Sequence, residues 1–396
     1  MADKTAIEWC DATWNPVVGC SIVSKGCTNC YAMKMAARLE AMGQPIYRGM
    51  TAPSKTGPVW TGAVRLNPAV LAKPLSWRRP RRIFVNSMSD LFHEALPDEA
   101  IDKVFAVMAL APQHTFQVLT KRPARMRDYL RVRAGDWMVV LPDAHAAGTL
   151  PITKNDVERA FGRSAKFSYD PPTPTWPLPN VWLGVSVEDQ ATADARIPIL
   201  LDTPAALRFI SAEPLLGPVD LTYLDTGRQP QEYEAERIDA LRGGVAWESD
   251  GTIVARPSVG NIDWVIAGGE SGPDARPMHP DWARSLRDQC AAAGVPYFFK
   301  QHGEWAPICA MSEAALDACY RPNVKAAPGE DQRAIDDVHG RRRIVDATVL
   351  HADGSRHDHL EPGAFAQGSA AMTMFAIGKS AAGALLDGRE HREFPR

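Results

Sequence analysis

The sequence predicts an α/β protein built as a full or partial (β/α) barrel, with an insertion and a C-terminal extension. Three observations carry this. Short apolar strands alternate with helical stretches as far as Lys300, a pattern that implies a parallel sheet with right-handed crossovers. Polar motifs fall just after those strands, at Ser87/Asp90, Thr120/Lys121, Ser186/Glu188, Glu213, Gly269/Glu270 and Lys300/Gln301. Cys20, Cys27 and Cys30 follow the first strand within eleven residues. The rival architecture is a doubly wound open sheet; both place sites at the carboxyl ends of strands.

The first strand is expected over Trp14 to Gly19, running into the cysteines. A helix follows from Tyr31 to Met42, with Gly43 as its stop. Residues 44–80 are rich in Pro and Gly and read as a long connection. Arg82-Ile-Phe-Val-Asn-Ser has a buried-strand pattern and leads through a polar turn to a helix over Pro97–Leu110. Phe116–Thr120 is the third strand, and Pro123 opens the next helix, where its missing N–H does no harm. The rhythm breaks over 131–179, read as an insertion. It resumes with a strand at Val181, a helix over Gln190–Leu201, and a strand at Leu207. Residues 214–260 read as loops with one charged helix near 231–241. Asp263–Ala267 is a strand, Asp281–Ala292 a helix, and Val295–Lys300 the last strand. The barrel core thus spans 1–310. Residues 311–396 form an extension packing on the barrel, with one helix near 373–386.

Composition narrows the class. The chain has 396 residues, 44 Lys+Arg against 47 Asp+Glu for a net charge of −3, and 45% hydrophobic residues. That balance excludes disordered, collagen-like and coiled-coil chains. No apolar run approaches the roughly 20 residues of a membrane span. Met1–Lys4 carries no apolar signal segment, so a cytoplasmic protein is expected. Seven Cys is too few, and odd, for a secreted disulfide scaffold.

Cys20, Cys27 and Cys30 have the form C-x6-C-x2-C. Thiolates are soft ligands for zinc or iron–sulfur sites. Zinc in a structural site takes four ligands, which Cys10, Cys290 or His93 would have to complete. A three-Cys iron–sulfur cluster instead leaves one iron open to a small molecule. Spacing alone leaves both readings standing. Cys10, Cys290, Cys309 and Cys319 are read as ordinary thiols.

The motifs also resemble a known family. Glu8-Trp-Cys-Asp-Ala-Thr-Trp-Asn-Pro-Val-Val-Gly-Cys20, Gly26-Cys-Thr-Asn-Cys-Tyr31, Val185-Ser-Val-Glu-Asp-Gln190, Arg208-Phe-Ile-Ser-Ala-Glu-Pro-Leu-Leu-Gly217, Gly268-Gly-Glu-Ser-Gly272 and Phe298-Phe-Lys-Gln301 are similar to a phage- and bacteria-encoded three-Cys-motif family. That family is named after phage gene products thirty-seven and sixty-eight. The likeness closes with Gly378-Lys-Ser-Ala-Ala-Gly-Ala-Leu-Leu-Asp-Gly388. The family in turn resembles the radical S-adenosylmethionine enzymes, especially the spore photoproduct lyase branch. The resemblance implies a (β/α) barrel of that type, with a 4Fe–4S cluster on Cys20, Cys27 and Cys30 and S-adenosylmethionine on the fourth iron. Reductive cleavage then yields a radical that abstracts hydrogen from substrate. The usual spacing there is C-x3-C-x2-C with an aromatic before the last Cys; here x6 replaces x3 and Asn29 takes the aromatic's place.

The resemblance also implies roles along the barrel mouth. Ser87, Ser89 and Asp90 offer acceptors for the methionine ammonium; a turn capping the next helix explains them equally. Lys121 would meet the methionine carboxylate, or be a solvated charge. Ser186 and Glu188 would bind ribose hydroxyls, although Glu188 also suits a first helical turn. Glu213 and Glu270 would orient substrate or move a proton, or pair with Arg208 or Arg276. Gly268 and Gly269 permit close backbone approach to a ligand. Lys300 would meet an anionic group. His93, His279 and His302 receive no role.

Two basic stretches remain: Trp77-Arg-Arg-Pro-Arg-Arg82, and Lys121, Arg122, Arg125, Arg127, Arg131 and Arg133. These can track phosphates, or be a solvated face. The expected function is hydrogen abstraction on a nucleobase or nucleotide, in DNA or RNA repair or modification, with an external electron donor. The alternative is a zinc-binding nucleic-acid or partner-binding module without catalysis.

Overall fold

The computed structural model describes residues 5, 7–133, 156, 176–227, 235–249, 252–257 and 260–396. At its centre lies a sheet of seven strands: β1 (Ala12–Trp14), β2 (Arg82–Val85), β3 (Thr115–Thr120), β4 (Val181–Ser186), β5 (Leu207–Ala212), β6 (Trp264–Gly268) and β7 (Tyr297–Gln301). Every neighbouring pair is parallel, and the order in space is the order in the chain. A doubly wound sheet reverses direction at a switch point; this one does not. The protein is therefore mixed α/β with a parallel sheet curled into a half-barrel, and β1 and β7 do not pair among the described residues.

Helices follow β1, β2, β3, β4 and β6: α1 (Tyr31–Ala41), α2 (Asp98–Leu110), α3 (Pro123–Arg133), α4 (Gln190–Leu201) and α5 (Pro280–Ala293). Their ends are set by local chemistry. The Asp189 carboxylate accepts from the Thr192 amide while the Thr192 hydroxyl accepts from the Asp189 amide, a capping box that opens α4. Pro280 occupies the first turn of α5, and Gly294 ends it in the left-handed region at φ 70°.

Alternation along the strands splits the sheet into two faces. Ile83, Val85, Val118, Leu183, Ile210, Val265 and Phe299 point into the main core with the helices. Phe84, Phe209, Trp264, Ile266 and Phe298 form a separate cluster with Trp9 and Cys10, on the concave face. Gly184 belongs to that face because a Cβ there would lie 2.6 Å from the Phe209 ring. The chain's last residues close this cluster. Phe394 stacks 5.2 Å from Trp264 and 5.4 Å from Phe298. The Phe299 amide donates to the His391 carbonyl at 2.9 Å, so the tail also covers the open edge of β7.

Several expectations change. The first strand is earlier and shorter than Trp14–Gly19; Val17–Val18 instead pairs antiparallel with Arg65–Leu66. The charged helix expected near 231–241 is replaced by a strand, Ala235–Asp239, in a four-stranded antiparallel sheet with Leu224–Asp225, Gly244–Ser249 and Thr252–Pro257. The alternating residues of that stretch suit a two-residue period, and residues 231–234 lie outside the described ones. The helix expected near 373–386 is a strand, Met372–Ala376, followed by one turn of helix, Lys379–Ala382. Gly378 and Gly383, both at positive φ, bracket that turn. The strand joins Trp305–Pro307, Ala347–Leu350 and Arg356–His357 in an antiparallel sheet of the extension. Of the expected insertion at 131–179, residues 134–155 and 157–175 lie outside the described residues. Among the described residues no helix is long and apolar enough to cross a membrane.

Candidate functional site

The loop between β1 and α1 carries the three cysteines, and it lies across the carboxyl ends of the other strands. Groups from strand ends far apart in sequence reach it. After β3, Arg122 donates to Ser21 Oγ at 2.6 Å and to Cys20 Sγ at 3.8 Å. After β4, Glu188 accepts from Ser24 Oγ at 3.0 Å. After β6, Glu270 accepts from Asn29 Nδ2 at 3.1 Å, and Arg276 donates to the Lys25 carbonyl at 3.0 Å. After β2, the Ser87 carbonyl accepts from Tyr31 Oη at 2.6 Å. Gly26 has to be glycine here, because a Cβ would strike the Glu188 carboxylate.

Cys27 is buried, Cys20 and Cys30 are half-buried, and all three are free thiols. Burial pushes the Cys20 thiol up to about 12; Asp90 adds to this and Arg122 opposes it. Burial also raises Cys30, against the pull of nearby Lys121. Among the described residues no three His, Cys, Asp or Glu side chains stand close enough to hold a metal ion. The donor chemistry nonetheless fits a soft metal group. Three thiols share one short loop, and a guanidinium and an ammonium stand beside them to offset thiolate charge. Cys10 lies in the concave aromatic cluster, and Cys290, on α5, in the main core. His93 reaches the cysteine loop, its Nε2 2.9 Å from Ser21 Oγ. Its Nδ1 accepts from the Ala95 amide at 3.1 Å, so Nε2 carries the proton. Burial and the Arg122 charge hold this ring neutral, below its ordinary range.

The other sequence-predicted residues gather at the same mouth, engaged mostly with one another. Asp90 is buried and accepts from Thr120 Oγ1 at 2.7 Å, and from the Lys121 amide, the Phe92 amide and Arg122 Nη1 at 3.0 Å each. Its acceptor capacity is filled. Ser87 donates to Asn15 Oδ1 at 3.1 Å and Ser89 to the Val17 carbonyl at 2.9 Å. Glu188 is fully buried between Lys121, which it pairs with directly, and Arg196 at 2.9 Å. Burial pushes the Glu188 carboxyl up, but Lys121 and Arg196 together outweigh it and hold it below the usual range. Ser186 is buried beside them, and its carbonyl accepts from Arg196 at 2.8 Å.

Glu213 pairs with Lys300 at 2.9 Å rather than with Arg208, whose guanidinium donates to the Leu200 and Thr203 carbonyls. Glu270 pairs with Arg276 at 2.6 Å. A Cβ on Gly268 would come 3.0 Å from Glu213, and one on Gly269 would strike the His302 carbonyl, so both glycines serve close chain packing. Two buried polar atoms at the mouth have no partner among the described residues: Asn86 Nδ2 and Gln301 Oε1. Asn86 ends β2 in the left-handed region at φ 62°, and its Oδ1 accepts from the Val17 amide at 3.3 Å.

Sequence reasoning gave no role to Arg122, Arg196, Ser24 or Asn86. Arg122 was visible only as one of a basic group. That group is largely neutralised: Arg122 meets Asp90 and Glu94, Arg125 meets Asp98, and Arg127 and Arg131 meet Asp202. Arg81 lies over the Trp77 ring at 4.7 Å, and Arg82 pairs with Asp11.

The family model described as "Protein of unknown function (DUF5131)" matches residues 4–395, and the chain belongs to that family. No curated protein and no solved structure matches it.

Proposed function

We propose that the chain is a radical S-adenosylmethionine enzyme, of the three-Cys-motif type met in phages and bacteria, that abstracts hydrogen from a nucleobase or nucleotide in the cytoplasm. The observation that supports this best is the convergence of strand-end side chains from across the half-barrel on one loop bearing three thiols. Cys20, Cys27 and Cys30 would hold a 4Fe–4S cluster, which with bound S-adenosylmethionine supplies the hydrogen-abstracting chemistry.

The chain's own residues position and balance that group. Lys121 and Arg122 offset negative charge at the thiols. Glu188 stays ionised and pins the loop through Ser24. Asp90, with Ser87 and Ser89, shapes the turn after β2. Asn86 Nδ2 and Gln301 Oε1 are the unsatisfied donor and acceptor left for a bound molecule. The Lys300–Glu213 pair, continuing the concave face above the aromatic cluster, stands where substrate would be oriented.

The test is anaerobic reconstitution with iron and sulfide, then dithionite and S-adenosylmethionine. About four iron and four sulfide per chain, with 5′-deoxyadenosine formed, is the expected result. About one zinc and no cluster spectrum would leave the metal structural and end the proposal.

A further inference from the structure

The cysteine loop and α1 present an unusual outer surface. α1 buries Ala32, Met33 and Ala36. Its opposite stripe is Tyr31, Lys34, Met35, Arg38 and Met42, at the three- and four-residue spacing that puts side chains on one helix face. Tyr31, Met35 and Met42 are 40% to 66% exposed, and Ile22 and Val23 on the loop itself are 50% and 43% exposed. These are large apolar groups, and the segment that carries them is also basic, in a chain whose net charge is −3. Between Cys20 and Leu66 stand Lys25, Lys34, Arg38, Arg48, Lys55 and Arg65 against a single acid, Glu40. All six basic residues are exposed. Lys34 meets Asp274 at 3.0 Å; none of the other five meets a carboxylate among the described residues. The segment is one structural unit. Ala32, Met33 and Ala36 pack with Val18, Met50, Trp60 and Met88 in a small core of their own.

We infer that this face docks a small acidic electron-carrier protein. An apolar centre with Met and Tyr inside a basic rim is the chemistry of a protein interface whose partner is negative. Nucleic acid fits less well. Aliphatic side chains gain from apolar contact but offer no π-face to a base, and Tyr31 is the one exposed aromatic on the stripe. The inference rests on the function proposed above, because a cluster on Cys20, Cys27 and Cys30 has to be reduced from outside. The carrier loses one electron and the cysteine-held group gains it. Docking here sets the carrier on the loop that bears those cysteines.

The experiment measures binding of the full chain, with and without iron, to two labelled probes: a plant-type 2Fe–2S ferredoxin and a single-stranded DNA of about 20 nucleotides. Ferredoxin is expected to bind the metal-free chain too, and to weaken about tenfold or more between low and moderate salt. Arg38→Glu with Arg48→Glu should weaken it about tenfold, and Met35→Glu likewise. Arg78→Glu with Arg79→Glu, outside this unit, should leave it within about twofold. All these side chains lie on the surface, and circular dichroism checks that the variants fold. No ferredoxin binding, or binding indifferent to the Arg38/Arg48 pair, overturns the inference, as does DNA binding lost with that pair while ferredoxin is ignored. Because docking is read without metal, its failure is distinguishable from failure of the cluster to form.

Discussion

The two levels of the concave face differ sharply. Its floor is aromatic: Trp9, Phe84, Phe209, Trp264 and Phe298, sealed by Phe394 from the tail. Towards and just past the carboxyl ends of the strands the face turns ionic, with Lys121, Glu188, Glu213, Glu270 and Lys300. Lys300 still lies within β7, whereas the other four follow the ends of their strands, so the change comes where the sheet gives way to loops. The floor gains from being dry and close-packed. The rim consists of charges that need partners, and it finds some of them on the cysteine loop. The floor therefore holds the fold, while the rim holds the loop.

Substitutions can break that division. The largest expected loss of stability is Trp264→Ala. This side chain is fully buried against five other aromatics and donates to the Glu393 carbonyl at 2.9 Å. Denaturant unfolding should show a loss of about 3–5 kcal/mol, while hydrogen exchange in residues 20–30 of the folded chain stays as in wild type. Glu188→Gln comes next, at about 3 kcal/mol, because it strands Lys121 and buried Arg196. Here the exchange pattern should invert, with residues 20–30 deprotected through the lost Ser24 anchor. Equal deprotection by the two variants would dissolve the distinction between floor and rim.

Smaller effects sharpen it. Glu270→Gln removes the charge that holds Arg276 and Asn29, and should cost about 1 kcal/mol. It should speed proteolysis near Asn29 without touching the tail. At the other level, Asp387 ties the tail to α5 through Arg284 and Arg287, both at 2.6 Å. Hydrogen bonds from Arg284, then from Arg287, lower the Asp387 pKa from 3.8 to about 2. A carboxyl depressed in the folded state stabilises above its ordinary pKa, and that contribution is lost as pH falls through the folded value. The tail should therefore loosen between about pH 4 and pH 2, by under about 1 kcal/mol for so exposed a pair. Limited acid proteolysis at residues 388–396 reads this, and Asp387→Asn should show the loosening already at neutral pH.

Much of this division is visible in the sequence. Strands such as Val181–Ser186 and helices such as Gln190–Leu201 announce themselves by apolar runs and caps, and the polar residues after each strand mark the rim. The partners of those residues do not. That Glu213 meets Lys300 and not Arg208 depends on which strands lie side by side. That Asp90 is filled by Thr120, Lys121 and Arg122 depends on the turn after β3 folding back on β2. The antiparallel sheets were missed because short, charged, alternating segments such as Ala235–Asp239 carry little apolar signal. Phe394 was invisible as part of the floor because nothing local ties the last residues to a sheet that begins at Ala12.

On the proposed function, the rim would hold a cysteine-bound cluster open to S-adenosylmethionine. Electron paramagnetic resonance on the reconstituted, dithionite-reduced chain tests it most directly. The expected result is a reduced-cluster signal that shifts when S-adenosylmethionine is added, survives in Trp264→Ala protein that remains folded, and vanishes in Cys27→Ala. A folded wild-type chain with no such signal, or a signal indifferent to both S-adenosylmethionine and the Cys27 substitution, would contradict it.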